Sequence, residues 1–255
     1  MNFSWTFFLQ HLVDPSSLYL EGLWLTLSLS VIAQFFGTTL GFAVALGRLS
    51  ALAPVRIAAG FYVWVMRGTP LLVQIVFIYT GFAAAGIFRF QDIDLGFVVL
   101  PGNIQAGIVA LSLNEGAYMG EIVRGGISAI DRGQIEAARS LGMSPALLMR
   151  RIILPQAARL IIPAAGNEFN GMLKNTTLLS VIGVPELLQV TQEITSLTFR
   201  VFELYAVVAL YYLSLTTLWG VAQYHLERHF SKAFRPVSVQ RREAFWRRLM
   251  SGARG

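Results

Sequence analysis

A few polar residues interrupt otherwise apolar stretches, and they bound the chemistry this chain could perform. Glu168 stands in 155–173, where the only other charge is Arg159. It lies about thirteen residues into that run, so at about 1.5 Å per residue it is about 20 Å deep. Gly166 and Gly171 flank it and could open backbone to a ligand. A carboxylate there could hold an ammonium group or a cationic side chain, or pair internally with Arg67 or Lys174. Arg67 is the only charge in 57–88. It reads equally as a carboxylate contact or gate and as an internally paired residue. Thr69-Pro70 follows it, and proline removes one helical hydrogen bond and kinks the helix. Asn114 and Glu115 precede Gly116-Ala117 and Gly120. Small residues favour close helix contact, so packing against a second membrane chain leads and contact with a solute comes second. Lys174, Asn175 and Thr176 close the set of candidates. Ionisable groups in apolar segments are costly and usually face a bundle interior or a cavity, so the chemistry these residues could do is to hold an oppositely charged group.

Covalent catalysis has no candidate. The chain has no cysteine, which excludes disulfides and thiolate chemistry. No phosphate-binding glycine loop, His-Glu-x-x-His or Gly-x-Ser-x-Gly occurs. His11, His225 and His229 sit at the ends of apolar runs and do not cluster with carboxylates as metal ligands.

The elements that must carry these residues follow from composition. Of 255 residues, 55% are hydrophobic and only 13% charged. A soluble domain has about 25% charged residues. Apolar runs cover 22–47, 57–88, 95–122, 155–173 and 204–226, which predicts an all-α integral membrane protein with five spans. The uncharged stretch 175–185 is too short to cross and reads as a re-entrant or interfacial segment. The net charge of +6 has an address. Most of the 20 Lys and Arg residues fall in 48–56, 124–159 and 228–254, which alternate spans place on one side. That side is expected to be cytoplasmic, with the N-terminus outside and the C-terminus inside. The acidic loop residues Asp14, Glu21, Asp92, Asp94, Glu186, Glu193 and Glu203 fall on the other side. No basic residue precedes the first apolar run, so a cleaved signal peptide is not expected.

The loop between the third and fourth spans carries clear punctuation. Asp131 can cap a short helix, with Gln134 placed to reach back. Gly142 suits the left-handed position that ends it. Ser144-Pro145 restarts a helix. Leu154-Pro155 is expected to close that second helix and open the fourth span. Ala137 and Ala138 leave a small, smooth surface that a partner could approach.

The spacing of Glu136-Ala137-Ala138, Gly142 and Leu154-Pro155 resembles the EAA loop of ABC importer permeases. The string GQIEAARSLGMSPALLMRRIILPQAARLIIPAAGNEF is similar to the polar amino acid uptake family, the histidine, glutamine and arginine type of permease. RGTPLLVQ (67–74), SLNEGAYMGEIVRGGI (112–127) and LLSVIGVPEL (178–187) agree. The resemblance covers roughly 18–230. It implies the type I importer permease fold in the bacterial inner membrane, with the coupling helix in the loop 131–152. Residues 1–17 would be an external segment and 231–255 a basic cytoplasmic tail. The implied partners are two cytoplasmic ATPase subunits, which bind ATP and Mg, a second permease, identical or related, and a periplasmic or tethered binding protein. Glu136 is the implied ATPase contact, and Glu168, in Asn-Glu-Phe, the implied lining of the solute site. Asn175 departs from a common family pattern that has aspartate there, which weakens the case for a dibasic amino acid and favours a neutral or acidic one.

The short helices expected around 177–188 read as an outer gate or as an interfacial lid. The tail 237–255 reads as a basic helix on the anionic inner leaflet or as a disordered segment. Two rival functions stand beside amino acid import: an ABC permease for another solute such as an opine, and a channel subunit whose loop docks a different partner.

Overall fold

The protein is seen in a computed structural model that describes residues 3–94, 96 and 99–231. The tail helix expected over 237–255 lies outside them.

A short helix, α1 (Trp5–Val13), precedes the long α2 (Ser17–Arg48). α2 buries a stripe of small residues at helical spacing: Thr26, Ser30, Ala33, Gly37 and Gly41. That stripe lets α6 (Gly102–Ser128) approach closely. A Cβ on Gly37 would lie 2.5 Å from the Glu115 side chain, and one on Gly41 2.5 Å from Met119 Cβ. In return, Gly116 meets Leu40 and Tyr62, and Gly120 meets Val44. The small residues after Asn114 and Glu115 therefore serve a contact inside the chain. The expectation that they pack a second membrane chain is corrected.

The second apolar run is not one kinked helix. It divides into α3 (Ala53–Gly68) and a segment built of α4 (Leu71–Val76), a π turn (Phe77–Gly81) and α5 (Phe82–Ala84). The chain bends by 107° between the two parts. Val99 and Leu100, expected within the third span, belong instead to a small antiparallel hairpin of β1 (Ile93–Asp94) and β2 (Val99–Leu100), with Ile93 paired to Leu100. Pro101 then caps α6.

After α6 come α7 (Arg132–Ser140), α8 (Pro145–Leu148), a π turn (Met149–Ile153) and α9 (Leu154–Asn175). Pro155 does not close a helix. The π turn just ahead shifts the hydrogen-bond register, with Leu154 N–H reaching Met149 O, and the helix runs on through the proline. A 3₁₀ segment (Thr176–Ile182) ends at Gly183 with φ +72°. It is the short segment expected at 175–185. α10 (Leu187–Thr198) and α11 (Val201–Ser231) complete the chain.

Among the described residues, four apolar clusters hold the bundle. One joins Leu29 and Ala33 of α2 to Ile75, Ala110, Leu111, Met172 and Leu179. Another keys the loop to the bundle, setting Ala138, Leu148 and Ile153 against Met119, Val123 and Ala157. α11 is tied to α9 where Trp219 Nε1 donates to Gly166 O at 2.8 Å and Gln223 covers Gly166. Gly166 thus offers no free backbone to a ligand, contrary to expectation. Bulky side chains such as Trp24, Phe35, Trp64, Phe77 and Leu218 point outward, the pattern of helices that face hydrocarbon.

Candidate functional site

Two polar constellations emerge. The first surrounds the break between α3 and α4. Breaking a helix strands carbonyls that lipid cannot satisfy. Gln74 supplies the remedy: its Nε2 donates to Met66 O (2.8 Å), Thr69 O (3.1 Å) and Thr69 Oγ1 (2.8 Å). Asn114 Nδ2 donates to Gln74 Oε1 at 3.0 Å and to Met66 O at 3.2 Å. Asn114 and Thr69 are thereby committed to holding the bend. Gln74 was not singled out in the sequence, where it reads as one more residue of an apolar run.

Beside this staple lie the charged groups. Arg67 is exposed, with its guanidinium 5.1 Å from the centre of the Tyr118 ring. Glu168 is half-buried and within electrostatic range of Arg67. Glu115 is buried, accepts from Gln34 Nε2 at 2.8 Å, and lies within electrostatic range of Glu168. Among the described residues, Glu168 forms no ion pair within 4.0 Å with Arg67 or Lys174. Gln34 Oε1 and Asn170 Oδ1 are buried acceptors without a donor among the described residues. The structure thus gathers Arg67, Glu115 and Glu168. Lys174, Asn175 and Thr176 stand apart, about two turns further along α9. Lys174 is exposed. Thr176 is fully buried, with its hydroxyl on Leu173 O at 2.9 Å, so it presents nothing to a solute.

Glu186 is a second residue that sequence reading misplaced. Counted there as an external loop carboxylate, it is completely buried. It caps α10, accepting from Leu188 N–H (3.0 Å) and Gln189 N–H (2.8 Å), and it takes the Tyr212 hydroxyl at 2.8 Å. The Thr26 hydroxyl accepts Leu187 N–H at 3.2 Å, so α2, α10 and α11 meet in one polar knot. Its position at Pro185-Glu186, just ahead of an apolar helix, was the available sign, since an acidic side chain there can cap.

The second constellation is the elbow between α6 and α9. Asp131 Oδ1 accepts Gln134 N–H at 3.2 Å, as a cap should. The Gln134 side chain does not reach back; its Oε1 accepts from Gln156 Nε2 at 2.7 Å and ties α7 to α9. Gly142 has φ +79°. Its N–H bonds Arg139 O (2.9 Å) and Met143 N–H bonds Ala138 O (3.2 Å), a complete Schellman turn. Ser144 Oγ accepts Leu147 N–H at 3.3 Å and starts α8. Glu136 and Ala137 are exposed, and Leu141 is 84% exposed. Ala138 is buried in the core, so only Ala137 of the alanine pair offers a surface. Sequence reading missed Leu141, whose exposure depends on how the turn is wound. Among the described residues, no three His, Asp or Glu side chains gather as metal ligands.

The family model for the binding-protein-dependent transport system inner membrane component matches residues 25–232. The chain belongs to this family, and it is a transport component of the inner membrane. It is 39% identical to an arginine transport system permease protein from Corynebacterium glutamicum, over 81% of this chain and 66% of that protein. It is 37% identical to a probable glutamine ABC transporter permease protein from Bacillus subtilis, over 88% of this chain and 98% of that one. A solved chain described as an amino acid ABC transporter with histidines superposes with a TM-score of 0.79 and 38% identity, covering 90% of this chain and 100% of that chain. The helical architecture is the type I ABC importer permease fold.

Proposed function

We propose that this chain is the membrane subunit of an ATP-driven importer that passes a polar amino acid from a binding protein into the cytoplasm. The observation that carries it is the elbow: a capped, rigid turn with an exposed Glu136–Ala137–Leu141 face, mounted between α6 and α9 and keyed to their core by Ala138. The relatives named as arginine and glutamine permeases support the amino acid class.

In this reading the chain crosses the membrane five times, through α2, the bent α3–α4 pair, α6, α9 and α11. α2, α11 and the bent pair meet that requirement by length and composition. α6 and α9 span about 40 and 33 Å at about 1.5 Å per residue, and α6 buries Ser112, Asn114 and Glu115. The N-terminus is outside and the C-terminus cytoplasmic. Two ATPase subunits, holding ATP and Mg, seat on the elbows of this permease and of a second, identical or related one. Lipid surrounds the bundle, and no nucleic acid is involved. Glu168 takes the substrate ammonium and Arg67 its carboxylate. Glu115, under Gln34, supports the site from behind. Where the solute passes Asn175, about two turns along α9 from this cluster, asparagine in place of aspartate removes a carboxylate from its path, which favours a neutral or acidic cargo.

The test is uptake into proteoliposomes by the chain co-expressed with the ATPase and binding protein encoded beside it. ATP-dependent uptake of glutamine or glutamate is expected, and Glu168→Gln lowers it more than tenfold, the effect of about 1.4 kcal/mol. Failure to co-purify with an ATP-binding subunit sinks the importer reading. Far better uptake of arginine or lysine sinks the cargo assignment alone.

A further inference from the structure

At the cytoplasmic end of the bundle, one carboxylate is shared by two arginines from different helices. Glu121 of α6 accepts from Arg124 through Nη2 at 2.7 Å and Nε at 3.1 Å. Arg48, the last residue of α2, donates its Nε to Glu121 Oε1 at 3.3 Å. A third helix takes part. Gly60 of α3 lies under the Arg48 guanidinium, where an added Cβ would come within 2.7 Å of Nη1. A Cβ there would displace only the tip of the arginine side chain, so the glycine lets the guanidinium that Glu121 holds rest against α3.

The location gives the cluster a use. Seven residues, about two helical turns, separate Glu121 from the end of α6, and the elbow follows at Asp131. Arg48 sits at the corner where α2 turns into α3. The apolar cluster that keys Ala138 to Met119 and Val123 includes Ala45 of α2. The elbow therefore has two connections to α2: an apolar one through that cluster and an ionic one through Glu121. Half-exposed ion pairs add little to global stability, so the arrangement gains its value from geometry.

We propose that Glu121 is a positioning residue: by holding Arg48 and Arg124 together it locks the elbow-bearing end of α6 to the α2–α3 corner, so that displacement of the elbow moves all three helices as one body. The consequence for transport rests on the importer reading; the mechanical link does not. Without the lock, the glycine-lined contact still holds α6 against α2, but the α2–α3 corner pivots on the end of α6 and elbow motion is partly lost before it reaches the bent α3–α4 pair.

The absence of native cysteine allows a direct test. Spin labels at Leu52→Cys and Leu141→Cys, both exposed, report the distance between the α2–α3 corner and the elbow in the full chain in lipid nanodiscs. Glu121→Gln broadens that distance distribution. Gly60→Leu, which expels Arg48 without touching the carboxylate, broadens it as well, and Glu121→Asp retains most of the wild-type width. In the reconstituted complex, Glu121→Gln raises the ATP hydrolysed per solute moved about fivefold, the lower end of ordinary coupling energies, with binding-protein affinity unchanged. Wild-type widths in both Glu121→Gln and Gly60→Leu overturn the proposal. A wild-type chain that recruits no ATPase overturns the importer reading and leaves the distance result standing.

Discussion

Glu186 shows how much a single side chain can carry when it is buried without a cation. Its two oxygens accept two amide hydrogens and one phenol, and removing them strands the two amide donors and takes from Tyr212 its carboxylate acceptor. Loss of a helix cap costs about 1 kcal/mol, and a buried donor left unpaired adds about 1–3 kcal/mol. Glu186→Ala is therefore expected to lower the melting temperature of the detergent-solubilised chain clearly. Tyr212→Phe removes one donor and leaves the cap intact, so it should cost about 1 kcal/mol. The double variant should resemble Glu186→Ala alone, because the two share one network. Additive losses would show that the residues act separately. Neither the burial nor the Tyr212 partner was legible in sequence, since the two residues lie 26 positions apart and meet only when α10 folds against α11. The pairing of Gln74 with Asn114 escaped for the same reason.

At the scale of elements, what was legible was local. Asp131, Gly142 and Ser144 act through their own backbone neighbourhoods, and each takes the role its residue type implies. Pro70 marked a break because it lacks an N–H. The 107° bend was not readable, because Gln74 of α4 holds it together with Asn114, which lies 40 positions away on α6. Pro155 misled, because a π turn absorbs a proline that local rules treat as a stop. Gly142 offers a clean test of the elbow. A Cβ there would meet nothing within 4 Å, so the whole effect of a substitution is its backbone conformation. At φ +79° a β-branched residue costs about 1–2 kcal/mol. Gly142→Val is expected to leave the spans folded but to lose ATP-dependent uptake. Gly125→Ala, also in open space and without positive φ, is the control and should transport normally. Normal uptake by Gly142→Val would sink the coupling role of the elbow.

For the whole molecule, charge asymmetry and fold make one claim that can be tested together. Exposed cations Arg132, Arg139, Arg150 and Arg151 surround the elbow. The opposite ends of α3–α5 and α6 carry the hairpin and an open cavity of about 980 Å³, lined by Arg89, Gln91, Asp92 and Asn103. Under the proposed orientation, elbow and hairpin lie on opposite sides of the bilayer, because basic residues are retained on the cytoplasmic side. The cysteine-free chain again makes the measurement direct. A membrane-impermeant maleimide added to intact cells should label Gln91→Cys and Ser196→Cys, both exposed. It should spare Ser140→Cys until the cells are opened. Labelling of Ser140→Cys from outside would invert the orientation and remove the elbow from any cytoplasmic ATPase. Protection of Gln91→Cys with labelling of Ser196→Cys would instead break the five-crossing count. The hairpin lies between the bent pair and α6, whereas Ser196 lies after α9, so two crossings, α6 and α9, must separate them if both face outward.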